Sequence, residues 1–257
     1  MRFSVLGSGS KGNCTLVEAG TTRLLIDNGF SGKELIARLH SIDVRPETLT
    51  AIVVTHEHDD HVKGIGVVSR RFNLPVYANA ATHRAAEQRV GQVRERHEFG
   101  TGESFTINDL HIHPFAVSHD TADPVGFVVS DGRSALGYCT DTGTITRLIR
   151  HHLRNCRALV LEANHDLQML QQGPYPFPLK QRVLSIQGHL ANNDSLEFAG
   201  CLINERLRAL VLAHLSEINN DPNLVRAEAR RRLPTGEGVQ VFVAEQWRAG
   251  PVLEIEP

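Results

Sequence analysis

Residues 55–61 read THEHDDH, and six of these seven side chains could hold a metal ion. His56 and His58 alternate, so in an extended chain leaving a strand both imidazoles point to one side. Asp60 and His61 follow where the chain must turn into a helix, and there they can face a second point a few ångströms away. Two imidazoles on one ion, with a carboxylate and an imidazole on its neighbour, suit a dinuclear centre whose ions sit about 3.5–4 Å apart. Glu57 and Asp59 point elsewhere by this spacing and read as support or as solvent-facing groups.

Two ions need more than four ligands. His119 follows the strand-like HIHPFAVS, Asp141 follows SALGYCT and His214 follows RALVLA. Each lies at or just past the end of an apolar run, where loops gather over a rigid sheet and sites are built. A consistent assignment places His56, His58 and His119 on one ion and Asp60, His61 and His214 on the other, with Asp141 between them. A lone HxHxDH also occurs as a solvated charged loop. Three further ligand-type residues at strand ends weigh against that reading.

The elements that must hold these residues are short and regularly spaced. RFSVLG, CTLVEAG and TRLLIDNG are apolar runs separated by Gly, Ser and Asn, the pattern of an antiparallel meander. SGKELIARLHSI reads as a helix, with Ser31 as N-cap and Glu34 completing a capping box. AIVVT (51–55) is a β-branched strand leading into the histidines. Helices are expected in VKGIGVVSRRFN, ATHRAAEQRV and ITRLIRHHLRN. Strands are expected in LPVYA, near 103–107 and 110–117, and in GFVVSD, SALGYCT, RALVLEA (157–163), RALVLAH (208–214) and VQVFVAE. Each half is β-rich, then α/β, with no linker between. We expect one domain over 1–257, with two mixed sheets packed face to face and helices outside.

Composition removes several alternatives. A formal charge of -2 leaves no global basic footprint, so a polyanion would need a local patch. Arginine far outnumbers lysine; its planar fork suits phosphate, though base composition produces the same bias. Cys14, Cys139, Cys156 and Cys201 are scattered, as for reduced thiols. The N-terminus lacks a signal pattern, and no run approaches the roughly 18 apolar residues of a membrane span. We expect a cytoplasmic protein with no membrane partner.

TxHxHxDH after a strand, followed by His, Asp and His in that order, resembles the signature of the metallo-β-lactamase fold. GSGSKGNC (7–14), IDNG (26–29), LEANHD (161–166) and PYPFPLKQRVLSIQGHLAN (174–192) are similar to its YycJ (WalJ) branch, which is related to the ribonuclease Z and β-CASP nucleases. The resemblance runs end to end. It implies a four-layer αββα sandwich, two divalent ions (zinc or manganese, with iron admitted by the same ligands) and an exonuclease acting on single-stranded DNA ends. Zinc β-lactamases use a cysteine at the second site, whereas here Cys139, two residues before Asp141, reads as core. The stretch from Asp141 to His214 leaves no room for an inserted β-CASP domain or a tRNA-clasping arm.

In such a centre two ions make hydroxide available from a shared water at neutral pH, and Asp60 can accept or orient its proton. The leaving oxygen needs a proton, and β-CASP relatives carry a glycine–histidine element before their last metal histidine. Gly188-His189 matches it, so His189 is the candidate acid, with a purely structural role as the alternative. Ser185 and Asn192 flank it as candidate phosphate contacts. Ser8 and Asn13 lie on a glycine-rich loop that is either an anion nest or a tight turn. Asn164, His165 and Asp166 are candidates to line the site; His111, His113, His151 and His152 read as surface or packed groups. VRAEARRRL (225–233) reads as a solvated helix face or a phosphate contact. Two other functions fit the same ligands: a thioester or lactone hydrolase, and a non-catalytic regulatory protein that keeps the fold.

Overall fold

The protein is described from a computed structural model covering residues 1–203, 206–233 and 238–256. The first half runs β1 (Arg2–Gly7), β2 (Cys14–Ala19), β3 (Thr22–Ile26), α1 (Gly32–His40), β4 (Ala51–Val53), α2 (Asp59–Val62), α3 (Ile65–Phe72), β5 (Pro75–Ala78), α4 (Ala80–Val90) and β6 (Glu95–Glu98). The second runs β7 (Phe105–Ile107), β8 (Leu110–Ala116), β9 (Val125–Ser130), β10 (Ala135–Cys139), α5 (Arg147–Leu153), β11 (Ala158–Glu162), α6 (Leu167–Gln172), α7 (Phe177–Val183), α8 (Asn192–Leu202), β12 (Ala209–Ala213), α9 (Pro222–Arg232), β13 (Gln240–Val243) and β14 (Leu253–Glu254). Two seven-stranded sheets result, ordered β14-β1-β2-β3-β4-β5-β6 and β13-β12-β11-β10-β9-β8-β7.

Both sheets are mixed in the same way. β1 to β3 pair antiparallel and β3 to β6 parallel. In the other sheet β7 to β10 pair antiparallel and β10 to β13 parallel. Connection length decides which: a two-residue link at Gly20 and Thr21 permits only a hairpin, while a helix between strands carries the chain back for parallel pairing.

β11 shows how the layers form. Alternation sends Ala158 and Val160 into the core between the sheets, with Val53, Ile112, Phe127 and Val211. Leu159 and Leu161 point the other way, against Leu153, Leu196 and Val225 of the helices. All five residues of β11 are buried, as a parallel strand covered on both faces requires. On the first sheet Leu25 and Ile52 meet Leu35, Leu39 and Val68 of the outer helices. Burying one such side chain contributes about 1.5–3 kcal/mol, so the helix layers are held by the outward half of each strand pattern. The fold is the αββα sandwich expected from the sequence.

The helix at Ser31 is capped as expected, with Ser31 Oγ accepting from Glu34 N at 3.2 Å. The reciprocal half of the box is absent, because the Glu34 carboxylate turns to Arg38 at 2.7 Å. Two strands were not expected. β6 reads ERHE and is mostly exposed at a sheet edge, where charge discourages further pairing and hides the strand from an apolar pattern. β14 has two residues and closes the other edge of that sheet.

Asp27, Asp141 and His214 each follow a strand of the parallel region and have φ of 59°, 58° and 57°. Left-handed backbone is uncommon for non-glycine residues, least so for Asp, and it collects where structure is held for function. These three turns aim side chains from both sheets at one point.

Candidate metal centre

The donors come from four loops at the carboxyl ends of strands. β4 leads through Val54 and Thr55 to His56. His58 then starts α2, which carries Asp60 and His61, while β8, β10 and β12 deliver His119, Asp141 and His214. One ligand atom from each of His56, His58 and His119 falls within 4.8 Å of the others, and the same holds for Asp60, His61 and His214. Asp141 stands between the two groups: Oδ2 is 3.3 Å from His61 Nε2, while Oδ1 is 3.4 Å from His214 Nε2 and 3.8 Å from His119 Nε2.

These donors fit divalent cations on their own chemistry. His56 Nε2 is buried without any hydrogen-bond partner, and Asp141 Oδ2 has none beyond its ion pair with His61. Leaving such groups unpaired is costly, and a cation at their focus satisfies both. His119 Nε2 and His58 Nδ1 face one another at 3.2 Å, and His214 Nε2 faces Asp60 Oδ2 at 3.3 Å.

Behind the donors lies a layer that fixes their orientation. Asp27 accepts from Thr55 N and Thr55 Oγ1, and lies 2.8 Å from His61 Nδ1. Glu162, fully buried at the end of β11, lies 3.0 Å from His214 Nδ1 and 2.8 Å from His189 Nδ1, and accepts from Thr142 N at 2.9 Å. His119 Nδ1 meets the carbonyls of Gln187 and Gly188. Pairing Nδ1 outward leaves Nε2 for the centre, the usual arrangement of metal-binding imidazoles.

The electrostatics divide the cluster. Burial pushes His56 well below the ordinary imidazole value, and neighbouring His61 adds to the effect. Burial also lowers His58, assisted by His119. His61 and His214 go the other way. Burial opposes their charge, but Asp141 and the carboxylates around it prevail, raising His61 well above the ordinary value and His214 to about 10. Burial disfavours charge on Asp141 too, yet His214 and His61 hold it well below the usual carboxylate range. Glu162 is carried down to about 2 against its burial, chiefly by His189.

His189 lines a cleft of about 380 Å³ over the cluster, together with Asp60, Asp141 and His214. A side chain on Gly188 would collide with the carbonyls of Arg182 and Val183, so glycine there lets the chain turn from α7 and deliver His189. Its ring lies between His119 and His214, with centroids 5.1 and 5.2 Å away. Arg89 and Arg182 also line the cleft. Each is held by a carboxylate next to a donor: Arg89 by Asp59 at 2.6 Å and Arg182 by Asp120 at 2.5 Å.

The four expected phosphate contacts are not among the residues that line this cleft. Ser8 is buried, donating to Asn13 Oδ1 and accepting from His214 N, both at 2.8 Å. Asn13 is buried, and its amide nitrogen donates to Asp60 Oδ2 at 3.1 Å. The glycine loop is therefore a tight turn whose donors are in use: Gly9 N bonds Asn13 Oδ1 and Lys11 N bonds Gln246 Oε1. Asn192 is buried in a reciprocal amide pair with Asn220, at 2.9 Å in both directions. Ser185 donates to Arg182 O at the end of α7. Of the further candidates, Asn164 lines the cleft and donates to His214 O at 2.8 Å. His165 is buried beside it, and Asp166 caps α6. Cys139 is core, its thiol pushed far up by burial.

Sequence reasoning assigned no role to Asp27, Glu162 or Asp120, and read Asp59 as support or a solvent-facing group. For Glu162 a signal existed: a lone carboxylate ending the apolar run RALVLE, where a buried charge must have partners.

Residues 22–214 match the family described as Beta-lactamase superfamily domain. The chain is 38% identical over 228 residues to an exodeoxyribonuclease YycJ of Bacillus anthracis, covering 88% of this chain and 86% of that protein. It is 36% identical over 263 residues to an exodeoxyribonuclease WalJ of Streptococcus pneumoniae, covering 99% and 98%. Among solved structures, the metallo-β-lactamase fold protein YhfI of Bacillus subtilis superposes with TM-score 0.75 at 19% identity, over 97% of this chain and 98% of that one. The chain belongs to the β-lactamase superfamily and, within it, to the YycJ/WalJ group. It is a metal-dependent hydrolase. Among the described residues no helix is long and apolar enough to cross a membrane.

Proposed function

We propose that the protein is a dinuclear phosphodiesterase that removes nucleotides from the ends of single-stranded DNA. The observation that carries this reading is the seven-donor set around Asp141, open to a cleft with a carboxylate-held arginine on each side. The 36–38% identity to proteins named exodeoxyribonucleases supports the choice of substrate. His56, His58 and His119 would hold one ion, and Asp60, His61 and His214 the other, with Asp141 shared. Two such ions supply Lewis acidity toward a phosphoryl oxygen and lower the pKa of water.

The remaining work falls to side chains. Asp60 accepts a hydrogen bond from Asn13, which turns Oδ2 toward the cluster and leaves the carboxylate to orient the attacking water. His189, held at Nδ1 by Glu162, presents its other nitrogen to the cleft and protonates the leaving oxygen. Arg89, whose Nη1 also reaches Ala85 O, and Arg182 meet phosphates with their remaining N–H groups while their Nε atoms stay on Asp59 and Asp120.

The test is direct. Metal-loaded protein incubated with 5′-phosphorylated single-stranded DNA should release mononucleotides from one end. Intact DNA under zinc, manganese and iron alike, with a thioester panel cleaved instead, would overturn the reading.

A further inference from the structure

The chain has one tryptophan, Trp247, and it stands 64% exposed just after β13. An exposed indole on a soluble surface usually serves contact, and this one is held for it. The neighbouring Gln246 ties the loop down, accepting from Lys11 N at 2.8 Å and donating to Gly12 O at 2.9 Å. Arg38 donates to Gln246 O at 2.9 Å. The Lys11 ammonium covers the indole at 4.8 Å from its centroid, and Glu217 holds that ammonium at 2.8 Å. The same glycine-rich loop carries Asn13, which contacts Asp60. Trp247 is thus fixed relative to the candidate metal centre through a single short loop.

Next to Trp247 the chain enters a cavity of about 560 Å³, separate from the cleft over the donors. Arg226, Arg230 and Arg248 line it, with Val241 and Val243 of β13. Glu245 is the one carboxylate among its lining residues, and it is shared by Arg226 at 2.9 Å and Arg248 at 2.7 Å. Three guanidinium groups against one carboxylate leave local positive charge on a protein whose overall charge is -2. An exposed ring one residue before Arg248 in the chain, with two further arginines and apolar flanks in the cavity that Arg248 lines, matches a chain of alternating bases and phosphates, and stacking on a ring needs unpaired bases.

We infer that Trp247 and the groove of Arg226, Arg230 and Arg248 seat the part of a single strand that lies beyond the reacting end, with a base stacked on the indole and phosphates on the guanidiniums. This rests on the nuclease reading above.

Emission from the sole tryptophan reports the event. Titrating the metal-loaded full chain with phosphorothioate-linked oligothymidylates of increasing length should quench it, with affinity rising until the groove is filled. Trp247→Ala should weaken binding of a long labelled strand about tenfold in fluorescence anisotropy, and Trp247→Phe, which keeps a ring, should lose less. Replacing Arg230 and Arg248 by Ala should flatten log Kd against log salt by about 1.4, as for two phosphate contacts on a single strand. Quenching by inorganic phosphate alone, or quenching that follows protein concentration instead of strand, overturns the inference. So does a strand that wild type cuts while emission stays constant and Trp247→Ala binds it equally well; that result leaves the nuclease reading standing. A wild type that neither binds nor cuts any strand removes both.

Discussion

The two halves of the donor cluster are built on opposite electrostatic plans. His56, His58 and His119 meet each other, a threonine hydroxyl and backbone carbonyls, with Asp120 and Asp141 farther off at 3.6 and 3.8 Å from His119. Burial and mutual repulsion hold His56 and His58 in the neutral form. Their nitrogens are therefore free to bind without losing a proton. His61 and His214 instead sit among Asp27, Asp60, Asp141 and Glu162. There the imidazoles hold protons tightly, and those protons supply the positive charge that the carboxylates demand. In one half His56 and His58 stand as ready neutral donors. The other is a charge deficit that a proton fills until a cation replaces it.

Asp141 belongs to both halves, so removing its charge should have the largest effect. Asp141→Asn keeps the shape but takes a buried negative charge from the middle of five imidazoles. We expect phosphodiesterase activity to fall at least about 1,000-fold, equivalent to several kcal/mol of lost ion-dependent stabilisation. Elemental analysis of the purified variant should show fewer than two ions per chain. Retention of two ions with near-normal turnover would remove Asp141 from the centre.

The halves should also respond to pH with opposite sign. His214 has a folded value of about 10 against an ordinary 6.5. Its contribution to the metal-free protein is complete below 6.5, declines by about 1.4 kcal/mol per pH unit above it, and is gone past about 10. His56 lies below 6.5 when folded, so its contribution is present above 6.5 and declines as pH falls below it. Urea midpoints in chelator should therefore peak near pH 6.5 and drop toward pH 9. Excess metal should remove the alkaline drop, because the ion replaces the proton on His214. A flat alkaline limb in chelator would contradict the charge-deficit picture.

Glu162 tests the carboxylate half alone. It faces no ion directly in this reading but holds both His214 and His189. Glu162→Gln should weaken metal binding at that half about 10–100-fold and leave the imidazole half nearly intact. Competition with a metal indicator should resolve one weakened and one unchanged site. Equal weakening of both would mean the halves are not independent.

This layer also marks where the sequence stops being legible. The seven donors stood out because each is polar where an apolar run ends, and local pattern reveals that much. Asp27 and Glu162 sit in the same kind of place, yet their partners are 34 and 52 residues away in sequence, and no spacing rule connects them. The buried settings of Asn13 and Asn192 were hidden for a related reason. An amide near a site looks the same in sequence whether it faces the cleft or a buried partner, and here Asp60 and Asn220 take them. That both sheets are mixed was legible, because short turns join the first strands of each half and helical text joins the later ones. β6 was not, since its partner β5, and not its own ERHE pattern, makes it a strand.

The smallest effect separates the two halves at the cleft rim. Arg182 is tied to Asp120, which lies 3.6 Å from His119 Nε2 on the imidazole side. Arg89 is tied to Asp59, beside Asp60 on the carboxylate side. Both arginines are about half exposed, so neither ion pair contributes much to folding. If each takes one phosphate of a single strand, Arg182→Ala and Arg89→Ala should each reduce the salt slope of binding by about 0.7, and the double variant by about 1.4. A loss confined to Arg182→Ala would place the strand over the imidazole half, and a loss confined to Arg89→Ala would place it over the carboxylate half. Equal losses require a strand that crosses both banks, with Asp141 beneath the scissile phosphate.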